Sequence, residues 1–135
     1  MSFMAYINNL NTHNGKVGKL GEDFAVEYLI DKGHEILERN YKNKFGEIDI
    51  ISKTKTVKLG NKQVQEKIHI VEVKTSQSQF IKPEENMHAV KMRKVAKLGL
   101  IYARDRLFCI DFVGVTLNQD SSLKEIKYLE NLELF

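Results

Sequence analysis

Two segments of the chain carry apolar residues at helical spacing. The first runs from residue 16 to residue 32 and is followed by Gly33, the residue type that most readily adopts the left-handed conformation at which helices end. The second begins at Pro83-Glu84-Glu85, because proline and acidic residues both suit the first turn of a helix. It reaches Ala103. The pattern therefore predicts two helices.

The remaining apolar segments are rich in Ile and Val and predict strands. They cover residues 34–41, 46–53, 67–75 and 107–117, and residues 125–133 predict a short edge strand. The order helix, three strands, helix, strand predicts an α/β fold in which helices flank a mixed central sheet. No repeat or linker divides the 135 residues, so we expect a single domain over 1–135, with residues 1–15 carrying no clear pattern.

Composition narrows the class of protein further. The chain lacks an apolar run of membrane-spanning length and a basic, then apolar, N-terminal leader, so we expect a cytoplasmic protein that does not enter a membrane. Its one cysteine, Cys109, cannot form an intrachain disulfide and excludes any zinc site with several cysteines. Cys109 lies in an apolar run and is interpreted as a buried packing residue.

The segment Leu59-Gly60-Asn61-Lys62 predicts the turn of a hairpin formed by the two best-defined strands. In that hairpin the numbers of opposed residues add up to 121, so Val57 faces Val64 and Ile51 faces Ile70. Pairs of this kind are favourable across an antiparallel sheet. The same register places Asp49 opposite Glu72.

Two opposed carboxylates need a compensating interaction. Their Cβ atoms would be roughly 5 Å apart, and Glu72 lies between two valines, where an unpaired buried charge is costly. A divalent cation would relieve the repulsion, and oxygen ligands without clustered His or Cys favour Mg²⁺ or Mn²⁺. Lys74 follows Glu72 on the same face of the strand and can reach the same site.

A purely structural alternative stays open at this point. Glu47 would face Lys74 in the same register, and the two could form an ordinary salt bridge that leaves Asp49 exposed to solvent or protonated. A bulge of one residue would also displace Asp49 from Glu72.

Local charge indicates a polyanionic partner, although the net charge is only +3. The extended hairpin at residues 53–67 has five lysines and one acidic residue, and a second basic cluster follows residue 90. The lysines that we assign to nucleic-acid contact are Lys55, Lys58, Lys62, Lys91 and Lys94. Solvated lysines that only maintain solubility are the alternative.

The motifs also carry a family resemblance. The segments 46–51 (GEIDII) and 71–74 (VEVK) resemble the core of PD-(D/E)xK nucleases. Together with residues 18–22, Arg39-Asn40-Tyr41, Pro83-Glu84-Glu85, Lys91 and Asp111, they resemble the YraN-like family of predicted endonucleases, which is similar to archaeal Holliday junction resolvases. The resemblance implies a restriction-endonuclease-like αβββαβ core and metal-dependent cleavage of DNA, more than RNA, including branched or structured DNA.

The resemblance also implies residue roles. Asp49 and Glu72 would hold the metal, Lys74 would position or activate the attacking water, and Glu22 would be an additional acid at the metal. For Glu22 the alternative is an exposed helix residue, and Asp111 has no role that follows from the residues. The similarity to resolvases also suggests a homodimer.

This chain departs from the family pattern at two points. Ser76 lies where relatives often have a basic residue, and Cys109-Ile110 replaces an Arg-Phe pair. These two changes affect the surface that would bind the substrate more than they affect Asp49, Glu72 and Lys74. A nucleic-acid-binding module without catalysis and a small protein-binding domain are therefore the rival functions.

Overall fold

The protein is described by a computed structural model that covers residues 3–57, 60, 63–77 and 89–132, with side chains from residue 15 in the first helix and from residue 93 in the second. The elements are α1 (Phe3–Asp31), β1 (Glu35–Asn43), β2 (Gly46–Val57), β3 (Val64–Ser76), α2 (Ala89–Ala103), β4 (Phe108–Leu117) and β5 (Leu123–Leu129). They form one five-stranded sheet in the order β1-β2-β3-β4-β5. Strands β3 and β4 are parallel and the other neighbours are antiparallel. The predicted α/β fold with a mixed sheet is confirmed.

The boundaries differ from the predicted ones in physically simple ways. Helix α1 begins at Phe3, before the predicted start, because the polar residues 11–14 interrupt the apolar pattern of the sequence without ending the helix. It ends as predicted, since Gly33 has φ +95° and the His34 N–H donates to the Leu29 carbonyl at 2.9 Å. The expected start of the second helix, at Pro83, lies outside the described residues.

The two helices cover opposite faces of the sheet and create two core layers. One layer joins α2 to the sheet through Val95 and Leu98, which pack on Ile51, Ile70 and Ile110. The other layer joins α1 to the sheet, and its members are Ala25, Leu29, Ile50, Val71, Val113, Val115 and Leu117. Adjacent strand residues thus point to opposite layers, as the pleat requires.

The predicted hairpin register is confirmed between β2 and β3. Val57 pairs with Val64, Lys55 with Glu66, and Ile51 with Ile70. The ladder continues to the pair of Ile50 with Val71. Both strands extend further towards the turn than predicted, because polar Lys and Thr side chains are compatible with an exposed two-stranded ribbon.

Helix α1 approaches β3 closely at Gly21. A Cβ atom at this position would lie 1.8 Å from Thr75 Oγ1 and 2.7 Å from Thr75 Cβ, so only glycine fits. The next residue along the helix is Glu22, which the close approach brings to the sheet. Among the described helices, none combines the length and the apolar composition that crossing a lipid bilayer requires.

Candidate active site

Asp49 lies where the regular pairing of β2 with β3 stops. The last pair of the ladder is Ile50 with Val71, so Asp49 and Glu72 are the next residues on the two strands. The Val73 N–H donates to Asp49 Oδ2 at 2.8 Å. The carboxylate of Asp49 therefore reaches across to the β3 backbone beside Glu72, as the register predicts.

The neighbouring strand β1 is irregular opposite this position. On the β1 side, the recorded pairs are Arg39 with Ile50 and Tyr41 with Ile48, on either side of Asn40 and Asp49. Asn40 has φ +52°, a left-handed conformation that asparagine adopts more readily than most residues.

Glu72 and Lys74 occupy the neighbouring strand. Glu72 is 2% exposed, and its Oε1 lies 3.7 Å from Lys74 Nζ. Glu47 forms an ion pair with Lys42 at 3.7 Å. The structure thus places Lys74 beside the acid of its own strand, and Asp49 is half-buried with a hydrogen-bonded carboxylate.

Glu22 is 9% exposed, so the interpretation of this residue as an exposed helix acid is wrong. Its Oε1 accepts hydrogen bonds from Arg39 Nε and Asn40 Nδ2, both at 3.2 Å. Arg39 also donates to Asp23 at 2.6 Å, and this bond, together with the weaker one to Glu22, raises the pKa of Arg39 against the opposing effect of burial. Sequence reasoning did not foresee that the Arg39-Asn40 segment holds Glu22 in place.

Side chains from the helix and three of the strands meet in one open cavity of about 380 Å³. Its polar lining comes from α1, β1, β2 and β3 and includes Glu22, Asn40, Glu47, Asp49, Lys74 and Thr75. Three carboxylates and one ammonium group thus share a small volume that is open to solvent. Glu72, which is almost fully buried, is connected to this cavity through Lys74.

The donor set fits a hard divalent cation. Asp49, Glu22 and Glu72 offer carboxylate oxygens, which are the ligands that Mg²⁺ and Mn²⁺ prefer. Such a cation would also offset the repulsion between acids held near one another in a partly buried site.

The predicted nucleic-acid contacts are distributed more widely. Lys55 is exposed on β2 and pairs with Glu66 at 3.8 Å, and Lys94 is exposed on α2. Lys91 belongs to α2, but its side chain lies outside the described part of the chain, as do Lys58 and Lys62.

An exposed aromatic residue in the turn between β1 and β2 was not predicted. Phe45 is 50% exposed in the turn between β1 and β2, two residues before Glu47. The ammonium groups of Lys44 and Lys97 lie 5.1 and 5.3 Å from the centre of its ring. A basic turn residue next to phenylalanine is a weak sequence signal, and the contribution of Lys97 from the distant helix α2 leaves no local signal at all.

A second polar cluster is buried under α1. His69, Cys109 and Asp111 meet there, with His69 Nδ1 at 2.6 Å from Asp111 Oδ2. Although burial alone would raise the pKa of Asp111, hydrogen bonds from His69, Tyr128 and the Asn131 N–H hold it below its usual value. His69 is thus a hydrogen-bonded core residue, and the prediction that Cys109 is buried is confirmed.

The fold and the cavity define a class of protein, an α/β protein with a restriction-endonuclease-like core. The family model described as "Uncharacterised protein family UPF0102" matches residues 21–115. The chain is 34% identical over 125 residues to a UPF0102 protein of Dictyoglomus turgidum, covering 88% of this chain and 98% of that protein. It is 38% identical over 119 residues to a UPF0102 protein of Thermodesulfovibrio yellowstonii, covering 86% and 94%. The chain belongs to the UPF0102 family, which is the YraN family that its motifs resemble.

Proposed function

We propose that this protein is a Mg²⁺- or Mn²⁺-dependent endonuclease that cleaves DNA phosphodiester bonds, including those of branched or structured DNA. The observation that carries the proposal is the meeting of Asp49 and Lys74 in one cavity with Glu22, while Glu72 lies 3.7 Å from the Lys74 ammonium. Three acids and a lysine arranged in this way suit the hydrolysis of a phosphodiester better than binding alone, because binding a polyanion gains nothing from buried acids.

The acids would hold the cation. Asp49 and Glu72 are the proposed ligands, with Glu22 as an additional carboxylate from α1. Bound Mg²⁺ or Mn²⁺ supplies polarisation of the scissile phosphate and lowers the pKa of a coordinated water. The hydrogen bond from the Val73 N–H fixes the orientation of the Asp49 carboxylate, and the Arg39 and Asn40 side chains do the same for Glu22.

Lys74 is the proposed positioning group for the nucleophile. It is half-buried, and its ammonium lies beside Glu72 while it also lines the cavity. An ammonium in that place can donate a hydrogen bond to the attacking water and stabilise the negative charge that develops on the phosphate.

The turn that precedes Glu47 offers a place for the substrate. Phe45 presents an exposed ring with Lys44 and Lys97 beside it. Aromatic rings stack on unpaired bases, and lysines bind phosphates without reading sequence. This combination favours a nucleic acid with unstacked bases, as branched DNA provides.

The experiment is a cleavage assay on duplex, single-stranded and four-way-junction DNA with Mg²⁺, with Mn²⁺ or with EDTA. We expect cleavage only with metal and a loss of at least about 100-fold in Asp49→Asn, Glu72→Gln and Lys74→Met, since each removes a group that acts on the transition state. Glu66→Gln is the matched control, because Glu66 is an exposed acid on the same strand.

Cleavage that persists in EDTA, or that is equal in Glu72→Gln and Glu66→Gln, would contradict the proposed mechanism. If the wild-type protein binds DNA with a strong salt dependence but never cleaves it, the catalytically inactive binding module is the correct function instead.

A further inference from the structure

The buried cluster under α1 contains three residues with the chemistry of transition-metal ligands. His69 on β3 pairs in register with Cys109 on β4, and Asp111 is two residues further along β4 on the same face of the sheet. All three are buried, with His69 and Asp111 fully inaccessible. One donor atom from each residue lies within 4.8 Å of the other two.

We propose that His69, Cys109 and Asp111 form a binding site for a divalent transition-metal ion of the zinc class, separate from the candidate active site. The set of imidazole, thiolate and carboxylate is typical of zinc and of the cobalt that replaces it, and unlike the all-oxygen set favoured by Mg²⁺. This inference does not depend on the proposed nuclease function.

The distances are close to those that a metal would require. Cys109 Sγ lies 3.2 Å from His69 Nδ1 and 3.2 Å from Asp111 Oδ1, and His69 Nδ1 lies 2.6 Å from Asp111 Oδ2. Tetrahedral zinc, with bonds of about 2.0 to 2.3 Å, separates its donors by roughly 3.3 to 3.8 Å. The donors therefore need to move apart by less than about 1 Å, which side-chain rotation supplies.

The surrounding residues form hydrogen bonds to the proposed ligands, as residues around a metal site usually do. Thr54 Oγ1 is 2.7 Å from His69 Nε2, so its hydroxyl can accept the Nε2–H when Nδ1 binds the ion. The Tyr128 hydroxyl donates to Asp111 Oδ2, and the Asn131 N–H donates to Asp111 Oδ1 at 3.0 Å. Such partners fix the tautomer and orientation of the ligands and strengthen metal binding.

Binding changes the protonation of the cluster in a defined way. Burial, together with the nearby Asp111 carboxylate, raises the pKa of the Cys109 thiol, so the metal-free cluster contains a thiol. When the metal–sulfur bond forms, the S–H bond breaks and its proton passes to solvent. The His69 ring, which donates its Nδ1–H to Asp111 in the metal-free cluster, must change tautomer, so that its proton moves from Nδ1 to Nε2 as Nδ1 binds the ion. A divalent ion with one thiolate and one carboxylate then leaves the buried site without net charge.

Cobalt provides a spectroscopic test on the full chain. The protein is stripped with EDTA in denaturant and refolded with Co²⁺, because the site is buried and the ion must enter as the chain folds. We expect one bound Co²⁺ per chain, a thiolate-to-cobalt charge-transfer band, and loss of that band on addition of Zn²⁺ but not of Mg²⁺. Cys109→Ser should abolish the band and lower zinc affinity at least about 10-fold, the range seen when a ligand or its support is removed.

Two controls separate this site from the candidate active site. Glu72→Gln should keep the charge-transfer band, whereas it should lose any response to Mg²⁺. Absence of a stoichiometric cobalt band in the refolded wild-type protein would overturn the inference, whatever the variants do, and so would a band that survives in Cys109→Ser. Neither result bears on the nuclease proposal, which is tested by cleavage.

Discussion

Replacement of Gly21 by alanine tests a close contact between α1 and the sheet. An alanine Cβ would lie 1.8 Å from Thr75 Oγ1, 2.6 Å from Thr75 Cγ2 and 2.7 Å from Thr75 Cβ. Rotation of the threonine side chain moves the first two atoms but leaves its Cβ in place. The helix must therefore shift away from β3 by several tenths of an ångström, and Glu22 shifts with it.

The expected magnitude combines two opposing effects. Overpacking of a well-packed site costs about 1 to 3 kcal/mol, and three contacts below 3.0 Å place this site at the upper end. Alanine is favoured over glycine within a helix by about 1 kcal/mol. We therefore expect Gly21→Ala to lower the free energy of unfolding by about 2 kcal/mol, or Tm by roughly 8 °C for a domain of this size.

Gly18→Ala is the matched control, because a Cβ at Gly18 meets nothing within 4 Å. It has only the helix-propensity gain and should raise the free energy of unfolding by about 1 kcal/mol. Urea denaturation followed by circular dichroism measures both variants. Thr75→Ala removes two of the three close contacts, so it should partly rescue Gly21→Ala in a double-mutant cycle. A Gly21→Ala protein as stable as Gly18→Ala would refute the reasoning.

Three further predictions follow from the site and the surface. Asp49→Asn should raise Tm in EDTA and abolish most of the increase that Mg²⁺ or Mn²⁺ produces in the wild type, because one of two neighbouring acids is neutralised; no metal response in the wild type would contradict this. Burial, aided by the nearby His69, lowers the pKa of His34 from 6.5 to about 4. Between about pH 6.5 and pH 4 the unfolded chain takes up a proton at His34 that the folded state disfavours. The free energy of unfolding in EDTA should therefore fall by about 2 kcal/mol over that range, and His34→Gln should lack that fall. Combined replacement of Lys55, Lys58 and Lys62 by Gln should weaken DNA binding equally for all sequences and flatten its salt dependence, and unchanged binding in a salt titration would assign these lysines to solubility.

The sheet could be predicted from local patterns because its strands pair mainly with their neighbours in sequence. The register of β2 with β3 follows from one short turn, and a period of two then specifies each facing pair. The length of α1 could not be predicted in this way, since the polar residues 11–14 interrupt its apolar pattern.

Only part of the candidate active site could be predicted from the sequence. The positions of Asp49 and Glu72 just beyond the end of the β2–β3 ladder, and of Lys74 beside Glu72, follow from strand register. The burial of Glu22 does not, because it depends on Gly21 meeting Thr75 and on the side chains of Arg39 and Asn40. Those contacts join three elements, and no spacing in one segment records them.

The sequence by itself determined the α/β class and the hairpin register, because both depend on interactions between residues close in sequence or related by strand periodicity. Only the tertiary structure decided that Glu22 completes the cavity and that His69 meets Cys109 and Asp111. The latter meeting requires β3 and β4 to pair in parallel across the intervening helix. The relative position of two such strands is fixed by the packing of α2 and the core, and a local sequence pattern contains no information about it.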